Sequence, residues 1–236
     1  MDRDELIRTL TQSVIDGEET IADETTVELL KRGESPMGLI KEAIQPALDH
    51  VGDRFGAGEL FLPELILAGD AAKMALDHII PLLEAAADGA TQSTLVIMGT
   101  AYGDNHDIGK SVVKAILSAN GFRVVDLGVN TPPKKFIETA LNEHARIIGI
   151  STLITTSLPY QRETIKLLRD MGHREKFFVI LGGGPVTPEW VAEIGADGYG
   201  REANDAANVC KKLIAGDSKP PLEAPLIEGA LQKRKR

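Results

Sequence analysis

The sequence has one cysteine, Cys210, in 236 residues. No disulfide framework can form within the chain. The lone thiol lies in the helical pattern around Ala206 and Ala207 and reads as a small core residue rather than a nucleophile. Aromatic residues are scarce, with one Trp, three Tyr and six Phe, so any cluster of them needs a reason. Basic residues are outnumbered, 26 against 35, and the net charge of −9 argues against a nucleic-acid partner. No apolar run approaches the roughly 18 residues of a membrane span. The acidic start, Met1-Asp2-Arg3-Asp4-Glu5, lacks the apolar segment of a secretory signal. Together these absences predict a cytoplasmic protein with neither nucleic acid nor membrane as partner.

Two regions differ in periodicity. Residues 1–90 read as helix throughout and predict a four-helix domain. Leu6, Ile7, Leu10, Val14 and Ile15 recur at three- and four-residue steps. A second segment carries Ile21, Val27, Leu29 and Leu30. Ser35-Pro36 has the form of a helix start, and Leu39, Ala43, Ala47 and Val51 follow four apart. A last helix runs on from Pro63. The link from Gly52 to Glu64 is unusual, because it combines Gly52, Gly56 and Gly58 with Phe55, Leu60, Phe61 and Leu62. Large apolar groups there must meet their own core or a partner surface. The glycines would allow the link to move.

Asp88-Gly89-Ala90-Thr91-Gln92-Ser93 is small and polar, and is the best domain boundary. Residues 91–216 then alternate strand-length apolar runs (95–99, 122–127, 147–151, 177–181 and 198–199) with helical patterns. Such alternation predicts βαβ units in a flavodoxin-like (Rossmann-like) α/β domain, with a five-stranded parallel sheet in the order 2-1-3-4-5. Residues 217–236 read as a C-terminal tail. The segment from Lys219-Pro220-Pro221 to Pro225 would be an extended strap or loose tail, and Lys233-Arg234-Lys235-Arg236 a solvated end.

Ligands of such sheets bind at the carboxyl ends of the strands. The loop after the first strand is Gly103-Asp104-Asn105-His106-Asp107-Ile108-Gly109-Lys110. An imidazole with a carboxylate two residues away has the parts of a metal ligand and its outer partner. On the octapeptide alone, a solvated surface histidine accounts for it equally well. The later loops add hydroxyls (Ser151 to Ser157), a triple glycine (Gly182-Gly183-Gly184) and Gly200-Arg201. Glycines at a strand end let a ligand approach the backbone, and the pooled loops suggest a slot between strands. Competing motifs fail. No G-x-G-x-x-G follows the first strand, and no full P-loop, although Gly109-Lys110-Ser111 mimics its end. Asp104, His106 and Ser157 lack the G-x-S-x-G elbow of a hydrolase. A zinc site would need more ligands.

Asp104-x-His106-x-x-Gly109, then Ser151-x-Leu153, then Gly182-Gly183 resembles the D-x-H-x-x-G … S-x-L … G-G signature of cobalamin-binding domains. Val51 to Phe55 and Phe61-Leu62-Pro63 are similar to the helical cap of methionine synthase and of stand-alone corrinoid proteins of methyltransferase systems. The resemblance implies cobalamin or a related corrinoid, carrying methyl as methylcobalamin, with His106 as the lower cobalt ligand. It implies that Asp104 bonds the other imidazole nitrogen and that Ser157 extends the relay. Asn105, Asp107, Ile108 and Gly109 would border the cofactor. Its nucleotide tail would lie along Ser151, Leu153, Thr155, Gly182 and Gly183, with Gly200 and Arg201 at the far end. Phe55, Leu62 and Leu65 would cover the methyl-bearing face. The implied function is a methyl carrier, not a complete enzyme, between a substrate-specific methyltransferase and a second, acceptor methyltransferase, with a reductive activase. The cobalamin subunit of an adenosylcobalamin mutase and a cobalamin-dependent sensor are the alternatives.

Overall fold

The computed structural model describes residues 1–85, 94–216 and 218–229. The expected boundary at Asp88–Ser93 and the basic end Lys233–Arg236 lie outside them. The chain divides into two compact units, Met1–Ala86 and Ala87–Arg236.

The first unit is helical. Helix α1 (Arg3–Asp16) opens with a capping box, in which the Asp2 side chain accepts from Glu5 N and the Glu5 side chain accepts from Asp2 N, and closes on Gly17 in the left-handed conformation. Helix α2 (Glu19–Lys31) buries Ala22, Thr25, Thr26 and Leu29, whereas Ile21 is exposed. The core face is therefore set by small residues that hydropathy alone underweights. Thr26 can be buried because its hydroxyl donates to the Ala22 carbonyl at 2.7 Å. Helix α3 (Pro36–Leu39) passes through a π turn at Ile40–Ile44 into α4 (Gln45–Gly56). Pro46 has no N–H to donate and its ring crowds the carbonyl four residues back. The wider turn just ahead of it accommodates both defects.

Helix α5 (Leu62–Ala85) completes the unit. Gly52 lies inside α4 and Gly56 ends it, which corrects the expected flexible link. Of its three glycines only Gly58, with φ 75°, is in the turn, because helical hydrogen bonding continues through Gly52. Among the described residues, no helix is long and apolar enough to cross a membrane.

The second unit alternates β1 (Leu95–Thr100), α6 (Ile108–Ala119), β2 (Arg123–Asp126), α7 (Pro133–Asn142), β3 (Ile147–Ser151), α8 (Leu158–Asp170), β4 (Phe178–Gly182), α9 (Pro188–Ile194), β5 (Gly198–Gly200), α10 (Ala203–Ala215) and β6 (Leu226–Glu228). The sheet is parallel, in the order β2-β1-β3-β4-β5-β6. β1 is buried along its whole length, as expected for a strand covered on both faces. The order reverses between β1 and β3, which makes their carboxyl ends the natural ligand crevice.

The sixth strand corrects the five-strand expectation and, of the two readings of the tail, favours the extended strap over the loose one. Asp197, fully buried, organises this edge. Its Oδ1 accepts from Leu222 N at 2.8 Å, its Oδ2 from Val179 N at 2.7 Å and from the Arg174 guanidinium at 2.8 Å, and its carbonyl from Leu226 N at 2.9 Å. β6 is too short and too mixed in pattern to announce itself; a buried carboxylate from another loop fixes it. Cys210 is fully buried in α10, and burial pushes its thiol up to about 12. It is therefore a core residue with negligible thiolate near neutrality.

Candidate functional site

With each loop numbered by the strand it follows, the loop between β1 and α6 is held by its own groups and by loop two, which follows β2. Thr100 Oγ1 donates to the His106 carbonyl at 2.8 Å. Asn130, in the left-handed conformation with φ 50°, accepts from Gly103 N through Oδ1 and donates its own N–H to the Asp104 carbonyl, both at 2.8 Å. Asparagine tolerates that conformation better than most residues.

Asp104 is completely buried, and the His106 side chain is half exposed. Asp104 Oδ1 meets His106 Nδ1 at 2.6 Å and accepts from His106 N at 3.1 Å. Oδ2 accepts from Leu153 N at 2.7 Å and Ile154 N at 3.2 Å. Burial pushes this carboxyl up. The hydrogen bonds from Leu153 N, the His106 ring, His106 N and Ile154 N outweigh burial and hold it below its ordinary value. An ionised carboxylate only accepts, so Nδ1 carries a proton, and in the neutral ring the lone pair is then on Nε2. Among the described residues, none of the hydrogen bonds uses Nε2. The arrangement can serve as a monodentate nitrogen ligand with its other ring nitrogen held by a buried anionic partner. No group of three or more His, Cys, Asp or Glu that would form a protein-only metal cage occurs among the described residues.

The other expected residues divide into groups. Asn105, Asp107 and Gly109 are exposed beside His106, with Ile108 half-buried. A Cβ at Gly109 would meet nothing within 4 Å beyond its own helix backbone and chain neighbours, so packing does not require the glycine. Ser151 is half-buried, and Leu153 and Thr155 are exposed. Gly183 has φ 114°, and a Cβ there would lie 1.9 Å from the Thr152 carbonyl oxygen. The glycine run thus presses loop four onto loop three, a close approach within the chain itself and not simply room for a ligand. At Gly200 a Cβ would lie 2.4 Å from Ala206 N, so this glycine lets α10 pack on β5, and Arg201 is exposed.

Ser157 departs from expectation. Its hydroxyl is buried without a hydrogen-bond partner, and it lies 3.6 Å from where a Cβ on Gly103 would be. The relay ends at Asp104, since both oxygens of that carboxylate already accept from His106 and from loop three.

Loop two was missed by the sequence reading, and with it Asn130. Its only sequence signal is a turn-forming Gly128-x-Asn130 at a strand end. The amides of Leu153 and Ile154 could not be found from side-chain type. In the helical unit, Phe55, Leu62 and also Phe61 and Ile66 are exposed, at 40%, 57%, 74% and 52%, whereas Leu65 is half-buried. An apolar group of this extent at one helix–helix turn is unusual for a surface in water.

Residues 94–208 match the B12 binding domain, and residues 6–80 match a second family also described as a B12 binding domain. Dimethylamine corrinoid protein 1 of Methanosarcina mazei is 38% identical over 217 residues, covering 91% of this chain and 98% of the relative. The structure of the Methanosarcina barkeri monomethylamine corrinoid protein superposes with a TM-score of 0.85 at 31% identity, covering 90% of this chain and all of that one. The methanol:cobalamin methyltransferase complex MtaBC of Methanosarcina barkeri gives a TM-score of 0.51 at 30% identity, covering 92% of this chain and 82% of that one.

Proposed function

This chain belongs to the corrinoid (B12-binding) proteins of methyltransferase systems, and from that premise we propose that it takes its methyl group from a methylamine, with His106 as the lower ligand of the corrinoid's cobalt. When bound, the corrinoid supplies the metal that accepts the methyl group and gives it up; the protein tunes and shelters that metal.

The observation that carries the site assignment is the His106–Asp104 pair. Asp104 keeps the Nδ1 proton and turns the Nε2 lone pair into the ligand. Its buried carboxylate, held by two loop amides, fixes the orientation of the ring. The open space at Gly109 fits a large planar ligand seated beside the imidazole. Ser151, Leu153, Thr155, Gly182, Gly183, Gly200 and Arg201 are proposed to border its nucleotide tail. Phe55, Leu62 and Leu65, with Phe61 and Ile66, are proposed as an apolar cover for the methyl-bearing face, where exclusion of water suppresses side reactions.

A methylamine donor is favoured by the relatives, since dimethylamine and monomethylamine corrinoid proteins are matched over nearly their whole length. A separate acceptor methyltransferase and a reductive activase are proposed partners, and the cytoplasm is the proposed location. The donor is tested by reducing the cobalamin-loaded protein, adding a methylamine methyltransferase with mono-, di- or trimethylamine, and following methylation by the visible spectrum. One of the amines should methylate the protein. Methylation only by methanol with its own methyltransferase would overturn the donor assignment.

Gly109→Val tests the seat. A Cβ there meets no atom outside its own helix and chain neighbours, and valine is no worse a helix former than glycine, so the urea midpoint should stay put. Affinity for hydroxocobalamin should fall by about tenfold or more, the cost of forcing a few methyl groups into filled space. Unchanged affinity would show that the corrinoid lies elsewhere.

A further inference from the structure

Gln161 lies in the first turn of α8, four residues after Ser157, and is fully buried. Burying an amide is costly unless each end is bonded, and here both ends are. The indole Nε1 of Trp190 donates to Gln161 Oε1 at 2.9 Å. Because an indole nitrogen only donates, the amide orientation is fixed and its NH2 must face the opposite way. There it donates to Thr152 Oγ1 at 3.0 Å and to the Ile150 carbonyl at 3.3 Å.

The two partners adjoin the two loops proposed to line the nucleotide slot. Trp190 is in the first turn of α9, where Thr187 caps the helix by accepting from Trp190 N, directly after the Gly182-Gly183-Gly184 loop. Thr152 is fully buried and starts the loop whose next two amides, Leu153 N and Ile154 N, hold Asp104 Oδ2. Thr152 is also the residue against which Gly183 is pressed. Outside, the Arg162 guanidinium covers the Trp190 ring at 4.6 Å and pairs with Glu193 at 2.5 Å. A continuous set of bonded groups therefore runs from Trp190 through Gln161 and Thr152 to the amides that orient Asp104, and through Asp104 to His106.

We propose that Gln161 is a positioning residue for the lower cobalt ligand: it locks the loop-three amides that fix Asp104, and links their placement to the glycine loop of the nucleotide slot. This rests on His106 being the ligand. Glutamine is suited to the task because it is uncharged and offers a donor to one loop and an acceptor to the other. A glutamate would set a carboxylate oxygen against the Ile150 carbonyl, and a hydrophobe would leave the indole N–H and the Thr152 hydroxyl without their partner.

Gln161→Met conserves volume and removes the link. Thr152→Val removes only the receiving hydroxyl, and Thr152→Ser restores it. Two readouts separate positioning from mere stability. In the full-length protein without cofactor, exchange of the Leu153 and Ile154 amide protons should quicken by about tenfold in Gln161→Met and Thr152→Val, while amides in the middle of β1 stay protected. Thr152→Ser should behave as the parent does. In the same proteins loaded with hydroxocobalamin and reduced to cobalt(II), the equilibrium for imidazole ligation, read from the nitrogen splitting in the electron paramagnetic resonance spectrum, should weaken by about tenfold, the lower end of the cost of losing an outer partner.

Variants that unfold at lower urea but keep both the parental amide exchange and the parental cobalt(II) spectrum would overturn the role of Gln161. Absence of imidazole splitting in the parent protein would instead overturn the assignment of His106, and the inference with it. The apoprotein exchange result identifies which of the two has failed.

Discussion

His106→Gly should abolish nitrogen ligation below the cobalt. The variant, loaded with hydroxocobalamin and reduced to cobalt(II), should lose the imidazole signature in its visible and paramagnetic resonance spectra. Free imidazole added at millimolar concentration should restore it by entering the space left by the side chain. The fold should survive, because the His106 side chain is half exposed and its one side-chain hydrogen bond is to Asp104. Affinity for the corrinoid should drop by at least about the 10–100-fold that loss of an outer-shell partner costs, since the ligand itself is removed. A variant with the parental spectrum, or one that imidazole cannot rescue, would mean that another residue or the cofactor's own base occupies the position.

Removal of Asp197 should cause the largest loss of stability. Asp197→Ala leaves the Arg174 guanidinium buried, at 5% exposure, without its carboxylate. It also deprives Val179 N and Leu222 N of their acceptor. Breaking a buried pair from one side costs about 3–5 kcal/mol, because the remaining charge is uncompensated. For a unit of this size that is a fall in melting temperature of roughly 10 °C. The companion change Arg174→Met in the same chain should recover part of the loss, since no buried charge then remains. Calorimetry of the parent, the single and the double variant gives the comparison. Amide exchange at Leu226 should also quicken in Asp197→Ala, because the Asp197 loop positions the start of β6. A single variant within 1 kcal/mol of the parent by urea unfolding, about the median worth of an exposed pair, would show that the pair is solvated in solution.

Much of the site was legible because its components are local. Asp104 and His106 are two residues apart, in a loop whose flanking strand and helix announce themselves by periodicity. The rest depends on contacts between distant segments. Both amides that hold Asp104 come from 49 and 50 residues further along and are backbone groups, which any residue type but proline supplies. Ser157 was expected to continue the relay because its hydroxyl is of the right kind and in the right loop. It does not, because loop three meets Asp104 with its main chain first. The triple glycine was correctly placed at a strand end, but the demand at Gly183 comes from Thr152, a neighbour that only the pairing of β3 with β4 supplies. The helical link looked flexible from its glycine content, yet α4 runs through Gly52 because neighbouring turns still close their hydrogen bonds.

The resemblance of its motifs to a known family supplied the kind of cofactor; by itself the sequence determined the two-part organisation of helices and alternating strands, the parallel sheet and the imidazole–carboxylate pair. Each of these is written in short-range spacing, where the period of a helix or strand and the reach of one side chain are the only rulers needed. The tertiary structure alone decided which loops meet at the reversal between β1 and β3, how Gln161 ties two of them together, and that the chain's end returns as a sixth strand beside β5. Those choices follow from strand order and from the requirement that every buried polar group find a partner, and neither leaves a periodic mark on the sequence.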